Sequence, residues 1–337
     1  MANQGIPRRG IVVLALAFCT LAADRAAGQS ILLKPQLEEG GKYYVERLVS
    51  VTQQIAHGAG GAKLYSVSGA IEEVESVSKE GTKLVLTLDR LGFRTGSKEI
   101  GSFDSDLDDK GQSEALAPIL REMVGSRLTL TLDKRGVVKS CKGAKEIAKK
   151  VEKSVSGNAA AAALWTTLFK NGVDNENYKS NWGSSRFVLY PNKEVKVGDA
   201  WKNSYEEKDA QLGNLRYDFD VKLDSVKETE GGMEAVVSYS GTVSKTGGGG
   251  EGKVTFQSGD MTGTATFSSK RGQFVTCEQR GKIAVETASA QGGRTVIQVF
   301  SEETINIIGL KRREEQKQTR AQGATKTEKT DKPSKDK

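Results

Sequence analysis

The chain has 337 residues, a formal net charge of +7, three cysteines and one histidine. The ends carry the charge: segment 1–28 contributes +2 and segment 311–337 contributes +5, so residues 29–310 are formally neutral. A nucleic-acid-binding domain would carry its basic excess on the folded part, so the sequence predicts no nucleic-acid partner. One histidine and few cysteines also leave little material for a zinc site or a Cys–His catalytic pair.

The first 28 residues have the features of a signal peptide. Arg8 and Arg9 form a basic start, an apolar run covers 11–23, and small residues precede Gln29. The run is too short to span a bilayer comfortably, and no later stretch is long and apolar enough to do so. We therefore expect an exported protein without a transmembrane segment in its mature chain, located in the periplasm, the cell envelope or the extracellular space.

Residues 29–141 predict a first β lobe. Apolar and polar residues alternate over 43–54 and again over 83–94, which is typical of antiparallel strands with one buried face. Residues 116–124 predict a short helix. A hairpin with Gly136 in its turn completes the lobe.

Residues 142–182 predict a helical connector, and residues 183–310 repeat the strand pattern of the first lobe. In each lobe the tripeptide Lys-Arg-Gly is followed by four residues and a cysteine, Cys141 and Cys277. The chain exceeds the ~100–200 residues usual for one domain. The repeat is also much longer than the ~20–50 residues of a solenoid repeat, which argues against a solenoid. The predicted fold class is mainly β (α+β): two duplicated antiparallel lobes, each a half-barrel or curved sheet, joined by the helical connector.

Residues 311–337 predict a disordered, charged tail. The segment lacks an apolar period and is rich in Lys, Thr, Gln and Glu. Its charges are mixed and no aromatic residue lies between them, which favours a solvated tail over a segment that binds anionic polymers.

Cys141 and Cys277 are the two cysteines that remain once the signal peptide is removed. An even number in an oxidising compartment is typical of a disulfide, and equivalent positions in the two lobes would allow a bridge between them. Disulfide geometry is demanding. Two half-buried strand thiols that do not meet are therefore the preferred interpretation.

The acidic loop 104–109 places Asp104, Asp106 and Asp108 at alternate positions, where their carboxylates could converge on Ca²⁺. The loop lacks the Gly and the Glu that an EF-hand requires at its sixth and twelfth positions. A solvated loop that caps the following helix is the preferred interpretation, and a calcium-dependent or hydrolytic enzyme is the alternative. No other cofactor is predicted, since the glycine run 247–250 lacks the Lys and Ser/Thr of a phosphate loop.

Three motifs resemble a domain-of-unknown-function family of bacterial exported proteins. They are Phe103-Asp104-Ser105, the strand and glycine turn from Gly125 to Gly136, and the Pro…Val-x-Val-Gly-Asp-x-Trp segment from Pro191 to Trp201. The resemblance covers about 32–308 and implies no activity or catalytic residue, because the family has none assigned. More loosely, the expected architecture resembles the half-barrel of periplasmic lipoprotein carriers.

Together these features predict a non-catalytic binding or scaffold protein that holds an apolar or protein ligand between a curved sheet and its helices. The predicted ligand contacts are Trp165, Leu168 and Phe169, at the end of an alanine-rich helix, and Trp201. Packing in the core is the commoner fate of such aromatic rings. A structural envelope protein is a further alternative.

Overall fold

The structure is a computed structural model. It describes residues 29–330 with seven short gaps. These are residue 188 and the ranges 56–60, 97–99, 108–111, 210–211, 248–253 and 289–293. The predicted signal peptide lies outside the described residues.

Strands make up most of the described chain. Their bounds are β1 Ser30–Leu33, β2 Lys42–Ile55, β3 Gly61–Val77, β4 Gly81–Thr95, β5 Ser102–Asp104, β6 Arg127–Asp133, β7 Val138–Lys142, β8 Lys193–Lys196, β9 Ala200–Asp209, β10 Gly213–Thr229, β11 Gly232–Gly247, β12 Val254–Ser268, β13 Gln273–Ala288 and β14 Arg294–Ile308. Strand β6 shows why they form, since Leu128, Leu130 and Leu132 are buried while the residues between them are not.

Helices connect the two halves of the chain and follow the last strand. Their bounds are α1 Ala117–Met123, α2 Ala144–Val155, α3 Ala159–Leu164, a π-helical turn Trp165–Phe169, a 3-10 turn Lys170–Gly172, α4 Asn175–Phe187 and α5 Leu310–Thr330. Pro118 lies in the first turn of α1, where its missing N–H is tolerated. The Asn158 side chain caps α3. Helix α4 extends beyond residue 182, the predicted end of the connector.

All described strands except β1 and β8 form one antiparallel sheet. Its order is β7-β6-β4-β3-β2-β14-β13-β12-β11-β10-β9, with β5 paired to β4, and β1 pairs separately with β8. Strands β2 and β14 pair along most of their length. Tyr44 is opposite Ile308 at one end, and Ile55 is opposite Ile297 at the other. This pairing joins the strands of both repeats into a single sheet, and the predicted mainly β, antiparallel fold class is confirmed.

The two repeats share backbone details that strand alternation does not specify. Gly40 donates its N–H to the carbonyl of Val74 over 2.9 Å, and Gly198 donates to the carbonyl of Leu223 over 2.8 Å. Both glycines have a positive φ, 80° and 94°. A β-bulge follows Val74 against β4 and Leu223 against β11. These landmarks fix which residues of the two repeats are equivalent.

The sheet has an inner and an outer face. The inner face carries Val45 and Ile307, which are buried in the core together with side chains of α1–α4. The outer face carries Tyr44 and Glu46 on β2 and meets α5. One inner row of directly paired residues crosses five strands and is buried throughout: Leu223, Val237, Ala265, Cys277 and Ile305. The core therefore lies between the inner face and the connector helices.

Several strands continue past this core as a single layer. We call this part the single-layer half; it comprises 47–55 of β2, 61–68 of β3, 279–288 of β13 and 294–303 of β14. Every side chain in 47–52 and in 295–301 is half-buried, whichever face it lies on. Val67 and Val285, in the same ranges, are buried, so this part of the sheet is covered less completely than the core.

The C-terminal segment differs from its prediction as a disordered tail over 311–337. Residues 310–330 form α5, and the start of this helix packs on the outer face of β2. Arg313 is only 2% exposed, and its guanidinium carbon lies 4.7 Å from the ring centroid of Tyr44. Charged side chains hold the helix, which is why a search for an apolar stripe misses it. Residues 331–337 lie outside the described residues.

Candidate functional site

Two of the predicted ligand contacts are core residues. Trp165 is 2% exposed in the π-helical turn. The Trp201 ring is also buried, and its Nε1–H donates to the carbonyl of Leu189 over 3.0 Å. Both rings therefore pack against the protein itself, with Trp201 tying β9 to the segment after α4.

Of the other two predicted contacts, Phe169 lies beside the single-layer half and Leu168 is largely exposed. Leu168 is 45% exposed. Phe169 is half-buried and meets the ring of Phe93 edge-on at a centroid distance of 5.4 Å. Phe93 pairs with Ser66, which pairs with Val49, so all three lie in one inner row. The end of the connector thus lies beside the inner face of the single-layer half.

The inner face of the single-layer half combines apolar side chains with polar ones such as Gln53, Ser66 and Ser301. We call the following half-buried side chains, which lie on it by register, the inner apolar strip: Val49, Val51, Leu64, Ile283, Ile297 and Val299. The outer face of the same strands is mixed and includes Ser50, Thr52, Lys282, Gln298 and Glu302 beside Leu48 and Phe300. Groups of partly exposed apolar residues on one face mark binding sites more often than single apolar residues do.

A band of polar groups separates the inner apolar strip from the core. Arg47 Nε donates to Glu303 Oε1 over 2.6 Å, and these side chains are 22% and 11% exposed. Glu303 pairs with Gln279 in the neighbouring strand, and the Tyr239 hydroxyl lies 3.3 Å from Gln279 Oε1. We call Arg47, Glu303, Gln279 and Tyr239 the polar layer. Burial is the main cause that raises the pKa of Tyr239, so its hydroxyl stays protonated at neutral pH.

A second polar assembly lies on the outer face beneath α5. We call it the ion cluster, and its members are Glu46, Asp89, Arg90, Asp104, Asp106, Arg313 and Arg320. The Asp106 side chain, 1% exposed, lies at its centre. Three strands, the loop after β5 and helix α5 all contribute to it.

Hydrogen bonds from arginine guanidinium groups to carboxylates hold the ion cluster together. Arg313 Nη1 and Nη2 donate to the two carboxylate oxygens of Asp106 over 2.8 and 2.7 Å. Arg320 Nη1 adds a third bond to Asp106 over 2.9 Å. Arg90 bridges Glu46, at 2.7 Å, and Asp104, at 2.6 Å from Nη2. Bidentate arginine–carboxylate pairs are among the stronger hydrogen bonds in proteins.

These contacts also set the ionisation of the buried groups. Burial opposes the charge on Asp106, but hydrogen bonds from Arg313 and Arg320 and the nearby Arg90 outweigh it and lower its pKa. Burial likewise opposes the charge on Arg313, and the carboxylates of Asp106 and Asp89 reverse that effect and raise its pKa. Asp106 and Arg313 are therefore both ionised at neutral pH.

The carboxylates that the sequence suggested as calcium ligands have arginine partners. Both Asp104 and Asp106 bind guanidinium groups of the ion cluster, while Asp108 lies outside the described residues. Among the residues that the structure describes, no group of three or more acids, cysteines and histidines is placed to hold a metal ion. The geometry of the loop is that of an ion-paired anchor for α5.

The two cysteines do not form the disulfide considered from the sequence. Cys141 on β7 and Cys277 on β13 are both buried, and neither is in a disulfide. Burial raises the pKa of Cys141 to about 11, which keeps this thiol protonated and unreactive.

The arginine anchors of α5 were not among the predicted site residues. A detectable signal was present, because Arg313 and Arg320 are seven residues apart and so lie on one side of a helix. Read together with the acidic loop, that spacing would have indicated an intramolecular partner for the loop.

Comparison with known protein families gives one match. The model of a family of unknown function (DUF6263) matches residues 79–273, in agreement with the resemblance noted in the sequence. Among curated proteins, none matches this chain.

Solved structures of low sequence identity resemble parts of the fold. Lipovitellin, solved for its lipid–protein interactions, shares 10% identity over 81% of this chain with a TM-score of 0.44, and this chain spans only 26% of it. A protein classed as exported, with a YmcC-like fold, from Bacteroides fragilis shares 9% identity with a TM-score of 0.21, over 83% of this chain and 99% of its own. A protein classed as a lipoprotein from Parabacteroides distasonis shares 10% with a TM-score of 0.22, over 83% and 99%.

Within the described part of the chain, no helix combines the length and the apolar composition needed to cross a bilayer.

Proposed function

The chain belongs to this family of unknown function, and we propose from its geometry that it is a non-catalytic, exported binding protein for an apolar ligand. The inner apolar strip is the observation that carries the proposal. Its side chains extend the apolar inner face beyond the core but remain half-buried. Export rests on the signal-peptide features of residues 1–28.

The position of the inner apolar strip favours a ligand that lies on the face of the sheet. Val49 and Val299 belong to β2 and β14, which are paired on both sides with other strands. Their backbone hydrogen bonds are already made, so a peptide cannot join here as an added strand. A flexible hydrocarbon chain can cover the strip, and each buried methylene contributes about 0.8 kcal/mol.

Two neighbouring residues provide a matched test of this surface. Val49 and Leu48 are adjacent in β2 and both half-buried, but Val49 lies on the inner face and Leu48 on the outer face. We expect V49N to weaken binding of a fluorescent long-chain acyl probe by about tenfold, because it leaves an amide beneath hydrocarbon. L48N should bind the probe like the wild type.

The measurement is a fluorescence titration, with the thermal midpoint of each variant recorded alongside. Equal loss of affinity in V49N and L48N, at similar thermal midpoints, would show that the inner face is not the binding surface. A wild-type protein that does not bind the probe at all would end the proposal.

A further inference from the structure

We propose that the polar layer selects the ligand by its polar end: it accepts an amphiphile whose inner end is an uncharged hydrogen-bonding group. Long-chain alcohols and glycerides belong to this class. The inference rests on the proposed function, because it concerns the lower boundary of the same inner apolar strip.

The location of the polar layer is the first part of the argument. Glu303 pairs directly with Val49 of the strip, and Gln279 continues the row on the next strand. On the core side, Arg47 pairs with the buried Ile305. A chain that covers the strip and points toward the core therefore ends against the polar layer.

The charge of the polar layer is the second part. Arg47 and Glu303 neutralise each other over 2.6 Å, and both are mostly buried. An incoming carboxylate would have to displace Glu303 from Arg47 and leave it buried without its partner. An incoming ammonium group would displace Arg47 in the same way. Breaking a buried pair leaves one charge uncompensated, which is strongly unfavourable.

A hydroxyl or ester group avoids that cost. A carboxylate has about four lone-pair positions, so Glu303 can accept another hydrogen bond while it holds Arg47. Gln279 and the Tyr239 hydroxyl lie in the same row and offer further polar atoms. The polar layer is therefore complementary to an uncharged polar end group, and not to a carboxylate or an ammonium group.

The test compares ligands that share one chain length and differ only in that end. Dodecanol, dodecanoate and dodecylamine each displace the acyl probe from the full chain at neutral pH. We expect dodecanol to bind at least tenfold more tightly than either charged ligand. E303Q removes the negative charge that lies 2.6 Å from Arg47, so the affinity for dodecanoate relative to dodecanol should rise about tenfold.

Glu302 provides the control for that substitution. It is the next residue of β14, lies on the outer face and is 68% exposed, so E302Q should leave the order of the three ligands unchanged. Retained binding of dodecanol by E303Q shows that this variant is folded.

Two kinds of negative result are distinguishable. If dodecanoate binds the wild type as tightly as dodecanol, or if E303Q does not change their ratio, the inference is wrong while the apolar site stands. If none of the three ligands displaces the probe, the proposed function fails and the inference fails with it.

Discussion

The outer faces of the two repeats differ at equivalent positions, although their backbones correspond. One row of directly paired residues on three strands shows the difference. The equivalent rows are Glu46–Gly69–Arg90 in the first repeat and Ser204–Asp218–Thr242 in the second. The first row is part of the buried ion cluster beneath α5. In the second, Ser204 and Thr242 are exposed and Asp218 pairs with a half-buried arginine.

The difference shows that a segment outside the repeats decides which outer face becomes interior. Helix α5 follows the last strand and packs on β2 of the first repeat, where Arg313 and Arg320 meet acidic groups of the sheet and of the loop after β5. The two repeats thus contribute two similar parts of one sheet, and the C-terminal helix makes these parts unequal. Substitutions at equivalent positions should therefore have unequal effects.

The largest expected effect is that of R313A. It removes the bidentate pair with the buried Asp106, which keeps Arg320 and Arg90 as partners, and the ion pair with the half-buried Asp89, and together these losses should cost about 3 kcal/mol of unfolding free energy. Arg216, which pairs with Asp218 on the uncovered outer face of the second repeat, is the control, and R216A should cost at most about 1 kcal/mol. Urea denaturation measures both. Equal losses would mean that α5 does not distinguish the two repeats.

The next effect is that of G69A. A Cβ at Gly69 would lie 1.9 Å from the Tyr44 hydroxyl oxygen, so the Tyr44 ring and the guanidinium stacked on it must move. Overpacking of this kind typically costs about 1–3 kcal/mol. D218A, at the equivalent position, should change stability by about 1 kcal/mol or less because it removes only a partly exposed ion pair. Thermal denaturation compares the two, and a stable G69A variant would contradict tight packing beneath α5.

The smallest effect is a pH dependence traced to Asp106. Its folded-state pKa is lowered, so the group contributes stability above its unfolded pKa of about 3.9, and this is lost as pH falls through the folded value. D106N lacks that contribution. The wild type should therefore exceed D106N in thermal midpoint at pH 7, and the difference should shrink toward pH 2. A difference that is constant with pH would exclude an ionised Asp106 as the anchor.

Local patterns were enough to predict the mainly β, antiparallel fold class. Leu128, Leu130 and Leu132 alternate within one strand, and turn glycines recur at matching places in both repeats. These signals lie within a few residues of one another. The sequence therefore predicts which face of a strand is buried without knowledge of what covers it.

The partners of the site residues could not be predicted in the same way. Asp106 and Arg313 are separated by 207 residues, and an acidic loop looks the same whether a cation or an arginine neutralises it. Trp165 and Phe169 occupy the same helical turn, yet one is in the core and the other is beside the strip. Long-range topology decides both outcomes, and alternation contains no information about it.

The pairing of β2 with β14 has a consequence for how the chain folds. The first and last strands of the large sheet are neighbours, so the seam between the repeats cannot close until the whole sheet-forming region is present. Until then both strands expose unpaired backbone edges that can pair with other chains. Contacts this distant in sequence form slowly. If the chain crosses a membrane before it folds, this slow pairing takes place on the far side. Chaperones there would have to prevent the unpaired strand edges from pairing with other chains.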